Sequence, residues 1–201
     1  MDTYSFEKPA HARETYEWDD IWFEQTDKDA PRIVTVGDSI SRSLRHMLTA
    51  KSDWLFDNYA TSKSADDPFF PAQLRLFAEQ QKERRLVLFN NGLHGWHLSS
   101  PAYKDAVAAL IDVLLEAFAP APLALVLTTK VADPERLVAV MERNDALRAL
   151  AAEKNLPVID LFTPSLSAEQ GKDGVHFTAV GCETLADAMI KSVARLLEEN
   201  R

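Results

Sequence analysis

Cysteine is almost absent from this 201-residue chain, and its absence excludes more than its one occurrence explains. A single cysteine, Cys182, rules out an internal disulfide framework and any Cys-rich metal site. It follows a glycine inside a helical pattern and reads as small packing rather than a reactive thiol. Glycine is scarce too, with six in all, and neither Gly-x-Gly-x-x-Gly nor a Walker loop occurs. Clustered positive charge is missing. Lys and Arg number 22 against 31 Asp and Glu, giving a net charge of −9, which argues against nucleic acid and anionic membrane as partners. No apolar run approaches a membrane span, and no basic-then-apolar leader opens the polar N-terminus. A cytoplasmic location is the expectation, although a chain trimmed of a signal peptide would read the same. Internal repeats, low-complexity tracts and long linkers are also lacking.

What is present suits one soluble α/β domain, with 46% hydrophobic and 26% charged residues. Ile33 to Val36 form a short apolar or β-branched run ended by Gly37-Asp38. After Ser39, apolar residues recur at Ile40, Leu44, Met47 and Leu48, one face of a helix. Further apolar runs at Trp54–Tyr59, Leu86–Phe89, Leu123–Leu127 and Pro157–Leu161 alternate with helical patterns. The helix after Leu127 opens at Asp133-Pro134, with Leu137, Val140, Met141, Asn144 and Leu147 on its inner stripe. The last helix turns Leu185, Met189, Val193 and Leu196 inward. Apolar strands alternating with helices predict a five-stranded parallel sheet covered on both faces.

Residues 1–31 stand apart as a polar, aromatic arm ending in breaker residues at Asp27 to Pro31. The simpler reading has its aromatics cover an edge of the domain formed by residues 32–201. The alternative is a strap whose tryptophans border a binding site, since Trp stacks on sugars and acyl groups.

In a parallel α/β sheet, ligands bind beyond the carboxyl ends of the strands. There the sequence delivers Gly37-Asp38-Ser39, Asn58 to Ser62, Asn90-Asn91-Gly92 with His94, and Asp173-Gly174-Val175-His176. A serine, a carboxylate–histidine pair and amides on one rim are the parts of nucleophilic acyl transfer. A serine hydroxyl needs a base in reach. An imidazole, with an ordinary pKa of roughly 6.5, can take its proton and return it to a leaving alcohol. Each part also has a plainer reading. Ser39 can be a helix N-cap, Asp-Gly is a common turn dipeptide, and Asp38 can simply support its turn. His94 and His97 lack the third ligand that a metal pair would need. His11 and His46 have no visible partner and read as surface residues. Gly37-Asp-Ser39-Ile-Ser41 lacks the last glycine of the α/β-hydrolase elbow.

Gly37-Asp38-Ser39-Ile40 and Asp173-Gly174-Val175-His176-Phe177-Thr178 resemble the first and last blocks of the SGNH (GDSL-type) hydrolases, and Gly92-Leu93-His94 resembles a variant of their third block. The resemblance spans roughly residues 32–197. It implies a three-layer α/β/α flavodoxin-like fold and ester hydrolysis with no cofactor and no metal. Ser39 would be the nucleophile, His176 the base and Asp173 its orienting acid. The implied oxyanion hole uses the Ser39 N–H, a backbone N–H from the second block and a side chain from the third. The second block has no glycine, so Ala60 or a neighbour would donate. In the third, His94 occupies the usual asparagine's place unless Asn91 reaches in. Trp22, Asn90 and Trp96 are candidate substrate contacts. The expected activity is removal of a short acyl group, acetyl first, from a small-molecule or carbohydrate ester. A lysophospholipase or thioesterase, and a catalytically silent binding domain, are the alternatives. Oligomeric state and natural substrate leave no trace in the sequence.

Overall fold

The computed structural model describes residues 14–81 and 83–199, so His11 lies outside the described residues. Its centre is the sheet that the apolar runs predict. β2 (Arg32–Gly37), β3 (Leu55–Thr61), β4 (Leu86–Phe89), β5 (Leu123–Val126) and β6 (Val158–Ile159) are parallel, and β2 to β5 are buried along their whole length. The order β3-β2-β4-β5-β6 reverses direction at β2. The carboxyl ends of β2 and β4 therefore flank the crevice in which such sheets bind ligands.

Side-chain alternation along the strands sends residues to two cores. Val34 and Val36 pack with α2 (Phe70–Gln80), α3 (Ser100–Ala117) and the later half of α4 (Pro134–Lys154). Ile33 packs with α1 (Ser39–Ala50) and α6 (Ala179–Glu199) on the other side. The result is three layers, α/β/α. Leu185, Met189, Val193 and Leu196 are all buried, as the α6 periodicity predicts.

Three details differ from the sequence reading. The arm contributes a sixth strand, β1 (Asp19–Trp22), antiparallel to β3 at the sheet edge. Four residues with two aspartates carry little strand signal, and the pairing is fixed from outside the segment. Asp19 bonds Lys63 at 2.6 Å and Tyr59 at 2.9 Å, while Asp20 bonds Arg45 at 2.6 Å and Arg42 at 3.0 Å. A short helix, α5 (Phe162–Ser165), follows β6, and β6 itself shrinks to two residues of the expected 157–161 run. In α4 the inner stripe contains Arg143, whereas Met141 is exposed.

Candidate active site

Ser39 is the first residue of α1, not its cap. The capping residue is Asp38, whose Oδ1 accepts the Ile40 N–H at 2.9 Å. As a first-turn residue, Ser39 has a backbone N–H with no helical acceptor, at the positive end of the helix dipole. Asp38 is almost wholly buried, and desolvation pushes its carboxyl above the ordinary range against the opposing influence of His94 and His176.

The partner side chains come from the loop before α6. Gly171 N–H donates to the His176 carbonyl at 2.8 Å, and Ala132 N–H donates to the Gly174 carbonyl at 2.7 Å, fixing the loop to the β5–α4 connection. Gly174 adopts φ of 70°, where a side chain is strained, and a Cβ there would lie 2.7 Å from that of Ala132. This turn aims Asp173 at its own loop. Asp173 Oδ1 accepts from the Val175 and His176 N–H groups at 3.0 and 2.9 Å, and Oδ2 lies 2.6 Å from His176 Nδ1. Those backbone bonds, then the imidazole, hold the Asp173 carboxyl down at about 2. On its other side, His176 Nε2 lies 2.8 Å from Ser39 Oγ. A hydroxyl, an imidazole and an ionised carboxylate, separated by 137 and 3 residues, form one hydrogen-bonded line.

The loop that carries Gly92 and His94 is anchored from α4. Arg143 is buried and donates to the carbonyls of Gly92 at 2.9 Å, His94 at 2.7 Å and Gly95 at 2.7 Å. Its guanidinium also lies 4.5 Å from the Trp96 ring centroid and 4.7 Å from that of Tyr103. This clamp was illegible in the sequence, where an arginine in a helix reads as surface. The 3.6-residue spacing from Val140 to Leu147 was the available signal. Asn144, one residue on, brackets Thr128 through its N–H at 2.7 Å and its carbonyl at 2.9 Å, pinning the end of β5. Gly92 faces that same Thr128, whose Oγ1 would be 1.7 Å from a Cβ at 92.

The other anticipated site residues are placed differently from one another. Ala60 lies inside β3, fully buried between Gly37 of β2 and Asp20 of β1. Asn91 is also fully buried and donates its amide to the Lys63 carbonyl at 2.9 Å. Asn90 donates to the Val126 carbonyl at 2.7 Å and to Thr128 Oγ1 at 2.9 Å, bridging the ends of β4 and β5. His94 Nδ1 lies 2.9 Å from Glu14 Oε1, and its Nε2 is enclosed without a partner among the described residues. His97 pairs instead with Asp66 at 3.0 Å. Among the described residues no three metal-ligating side chains converge. Trp22 sits opposite Asn58, away from the carboxyl ends of the strands, with Arg45 4.8 Å from its ring and His46 at its edge. Trp96 has guanidiniums of both Arg136 and Arg143 against its ring. Beside it opens a recess of about 490 Å³, walled by Glu14 to Glu17, Ser62, Ser64, Gly95 to His97 and Arg136.

No protein-family model and no curated protein matches the sequence. Solved structures do. A member of the lipolytic G-D-S-L family from Veillonella parvula DSM 2008 aligns over 83% of this chain and 100% of its own, at 20% identity and a TM-score of 0.70. A carbohydrate acetylesterase from Sinorhizobium meliloti covers 83% of this chain and 99% of its own (15% identity, TM-score 0.67). An acetyl xylan esterase covers 81% and 99% (15% identity, TM-score 0.64). Sequence blocks, strand order and these neighbours agree: the chain has the fold of the GDSL/SGNH hydrolases.

Proposed function

We propose that this chain is a serine hydrolase of ester bonds, with Ser39 as nucleophile, His176 as general base and acid, and Asp173 as the group that fixes the imidazole. The observation that carries this reading is the unbroken line from Ser39 Oγ to His176 at 2.8 Å and on to Asp173 at 2.6 Å. Asp173 accepts the Nδ1 proton, which leaves Nε2 as the lone pair facing the hydroxyl. Attack by Oγ on the acyl carbon passes the hydroxyl proton to Nε2. The alkoxide of the substrate then leaves with that proton, and an acyl-enzyme remains. Water repeats the sequence, with His176 taking its proton and returning it to Ser39. The Ser39 N–H at the start of α1 is placed to hold the developing oxyanion.

The substrate side of the reading is a short acyl group, acetyl, on a polar alcohol such as a carbohydrate. Two neighbours of this fold are named for acetyl ester cleavage on carbohydrates. The recess beside the third-block loop has a polar wall of Glu14, Glu17, Ser62, Ser64, His97 and Arg136, which suits hydroxyl groups better than a long acyl chain. A ligand-binding domain without turnover is the second reading, favoured by the enclosure of Ala60 and Asn91.

A fluorophosphonate probe followed by a p-nitrophenyl ester series tests both. Covalent labelling at Ser39, lost in Ser39→Ala, with acetate turned over faster than octanoate, is the expected result. Preference for the long chain replaces the acetyl assignment with a lipase-like one. No label at saturating probe leaves the binding domain.

A further inference from the structure

The N-terminal arm is pinned to the domain on both sides of Tyr16. After it, Trp18 N–H donates to Ser62 Oγ at 2.9 Å, and Ser62 N–H donates to the Trp18 carbonyl at 3.1 Å. Before it, Glu14 Oε1 lies 2.9 Å from His94 Nδ1. Between these anchors Tyr16 is 82% exposed and forms part of the wall of the recess of about 490 Å³. One exposed aromatic alone means little. This one shares its wall with a second ring, Trp96.

The recess is walled by the loops on either side of the strand that ends at Ser39. Ser62 and Ser64 follow β3, Gly95 to His97 follow β4, and β2 runs between those two strands. The two loops are built to meet. Gly95 takes φ of 69°, and a Cβ there would lie 2.2 Å from Ser64 Oγ, so only glycine allows the approach. Asp66 ties the loops again, accepting from the Ser64 hydroxyl and lying 3.0 Å from His97 Nε2.

The wall carries charge of both signs. Glu14 and Glu17 come from the arm, and Arg136 comes from the first turn of α4. The Arg136 guanidinium lies 5.1 Å from the Trp96 ring centroid and makes no ion pair among the described residues. An anionic ligand would meet the carboxylates, and a cationic one would meet the guanidinium. A ring of hydroxyls donates to the first and accepts from the second, while its C–H face packs on an aromatic ring. A neutral sugar meets all of these demands at once.

We propose that residues 14–17 of the arm and residues 95–97 build the alcohol-side subsite of the hydrolase. It takes one ring of a neutral sugar, with Tyr16 as the apolar platform and Arg136 as donor to the ring hydroxyls. Both are specificity-determining residues, which select the alcohol and so act on KM rather than kcat. The inference rests on the reading of Ser39 as an esterase nucleophile, but the subsite can be tested without turnover.

The binding probe is 6-acetamido-6-deoxyglucose, the amide counterpart of 6-O-acetylglucose. It is titrated into the full chain and followed by NMR at the Trp96 indole N–H, assigned by its loss in Trp96→Phe. That signal should move, and the affinity should fall about tenfold in Tyr16→Ala and in Arg136→Ala, the scale of one aromatic or charged contact. Both side chains are exposed, so neither change threatens the fold. A Trp96 signal that stays still up to the solubility limit of the sugar overturns the subsite, and so does one that moves alike in all three proteins. For turnover, kcat/KM on 6-O-acetylglucose is compared with that on acetylcholine and on O-acetylmandelate, a cationic and an anionic acetate. The sugar should lead both, and Tyr16→Ala should cut that lead about tenfold through KM. A lead for either charged acetate, or a sugar lead untouched by Tyr16→Ala, overturns the assignment. If no acetate is hydrolysed while the amide still moves the Trp96 signal, the esterase reading falls and the sugar subsite stands.

Discussion

Two aspartates reach Ser39 by different routes, Asp38 as its neighbour in the chain and Asp173 through His176, and the same residue type is put to opposite electrostatic use. Asp173 and His176 sit on an exposed loop, and the carboxylate is held ionised by two backbone N–H groups and the imidazole. Asp38 is packed inside, where it caps α1, and burial pushes its carboxyl the other way. The first unit can exchange a proton with a substrate because solvent and hydroxyl both reach it. The second has no such access and can only hold geometry. Hydrogen bonding and desolvation, not residue identity, separate a carboxylate held ionised beside an imidazole from a carboxyl that caps a turn.

The largest effect that can break this contrast is on turnover. His176→Ala should lower kcat by about 10⁴-fold with thermal stability nearly unchanged, since the ring is half exposed and its removal opens no cavity. Hydrolysis at the original rate would remove His176 as base. Asp173→Asn should also cost activity rather than fold. Its carboxyl is held ionised, down at about 2, by the backbone N–H groups and the imidazole. The sign for stability is that of a depressed carboxylate. Its contribution is present above the ordinary value of 3.8 and fades as pH falls toward 2, which acid titration followed by circular dichroism can check.

Next in size is the Arg143 clamp on the loop of residues 92–95. Arg143→Met takes the guanidinium from three carbonyls, of which only that of Gly95 keeps another donor, the Leu98 N–H at 3.0 Å, and should cost about 3 kcal/mol in chemical denaturation. Arg143→Lys has one nitrogen for three acceptors and should recover only part of that. A loss under about 0.5 kcal/mol would mean that the third-block loop keeps its shape without the guanidinium. The smallest effect sharpens the contrast most. Asp38→Ala removes the α1 cap and should cost about 1 kcal/mol, whereas Asp38→Asn keeps an acceptor for the Ile40 N–H and removes a buried charge. Asp38→Asn should therefore be close to neutral in stability at pH 7 while lowering kcat. Equal destabilisation by both would show that the charge itself holds the turn.

Much of this was open to a reader of the sequence, for identifiable reasons. The runs at 33–36, 86–89 and 123–126 are too apolar to lie anywhere but between two layers, and they do. Ser39 and the Asp173–His176 turn were legible because the residues that bracket them, Gly37, Asp38 and Gly174, are required by local backbone geometry. β1 was not, because its strand character comes from Lys63, Arg42 and Arg45 pairing with its aspartates, 22 to 44 residues away. Arg143 and Glu14 escaped for the same cause. Each looks like solvated surface until a distant loop supplies its partners.

Local periodicity and turn chemistry by themselves determined the layer order, the helix faces and the two short segments that carry the Ser39–His176–Asp173 line. Only the tertiary structure decided that Asn91 and Ala60 are walled in, that Trp22 lies away from the rim, and that His94 pairs with Glu14 of the arm. The division has one physical root. Strand and helix preferences are written within a few residues of themselves, whereas burial and charge pairing are properties of what the rest of the chain brings alongside.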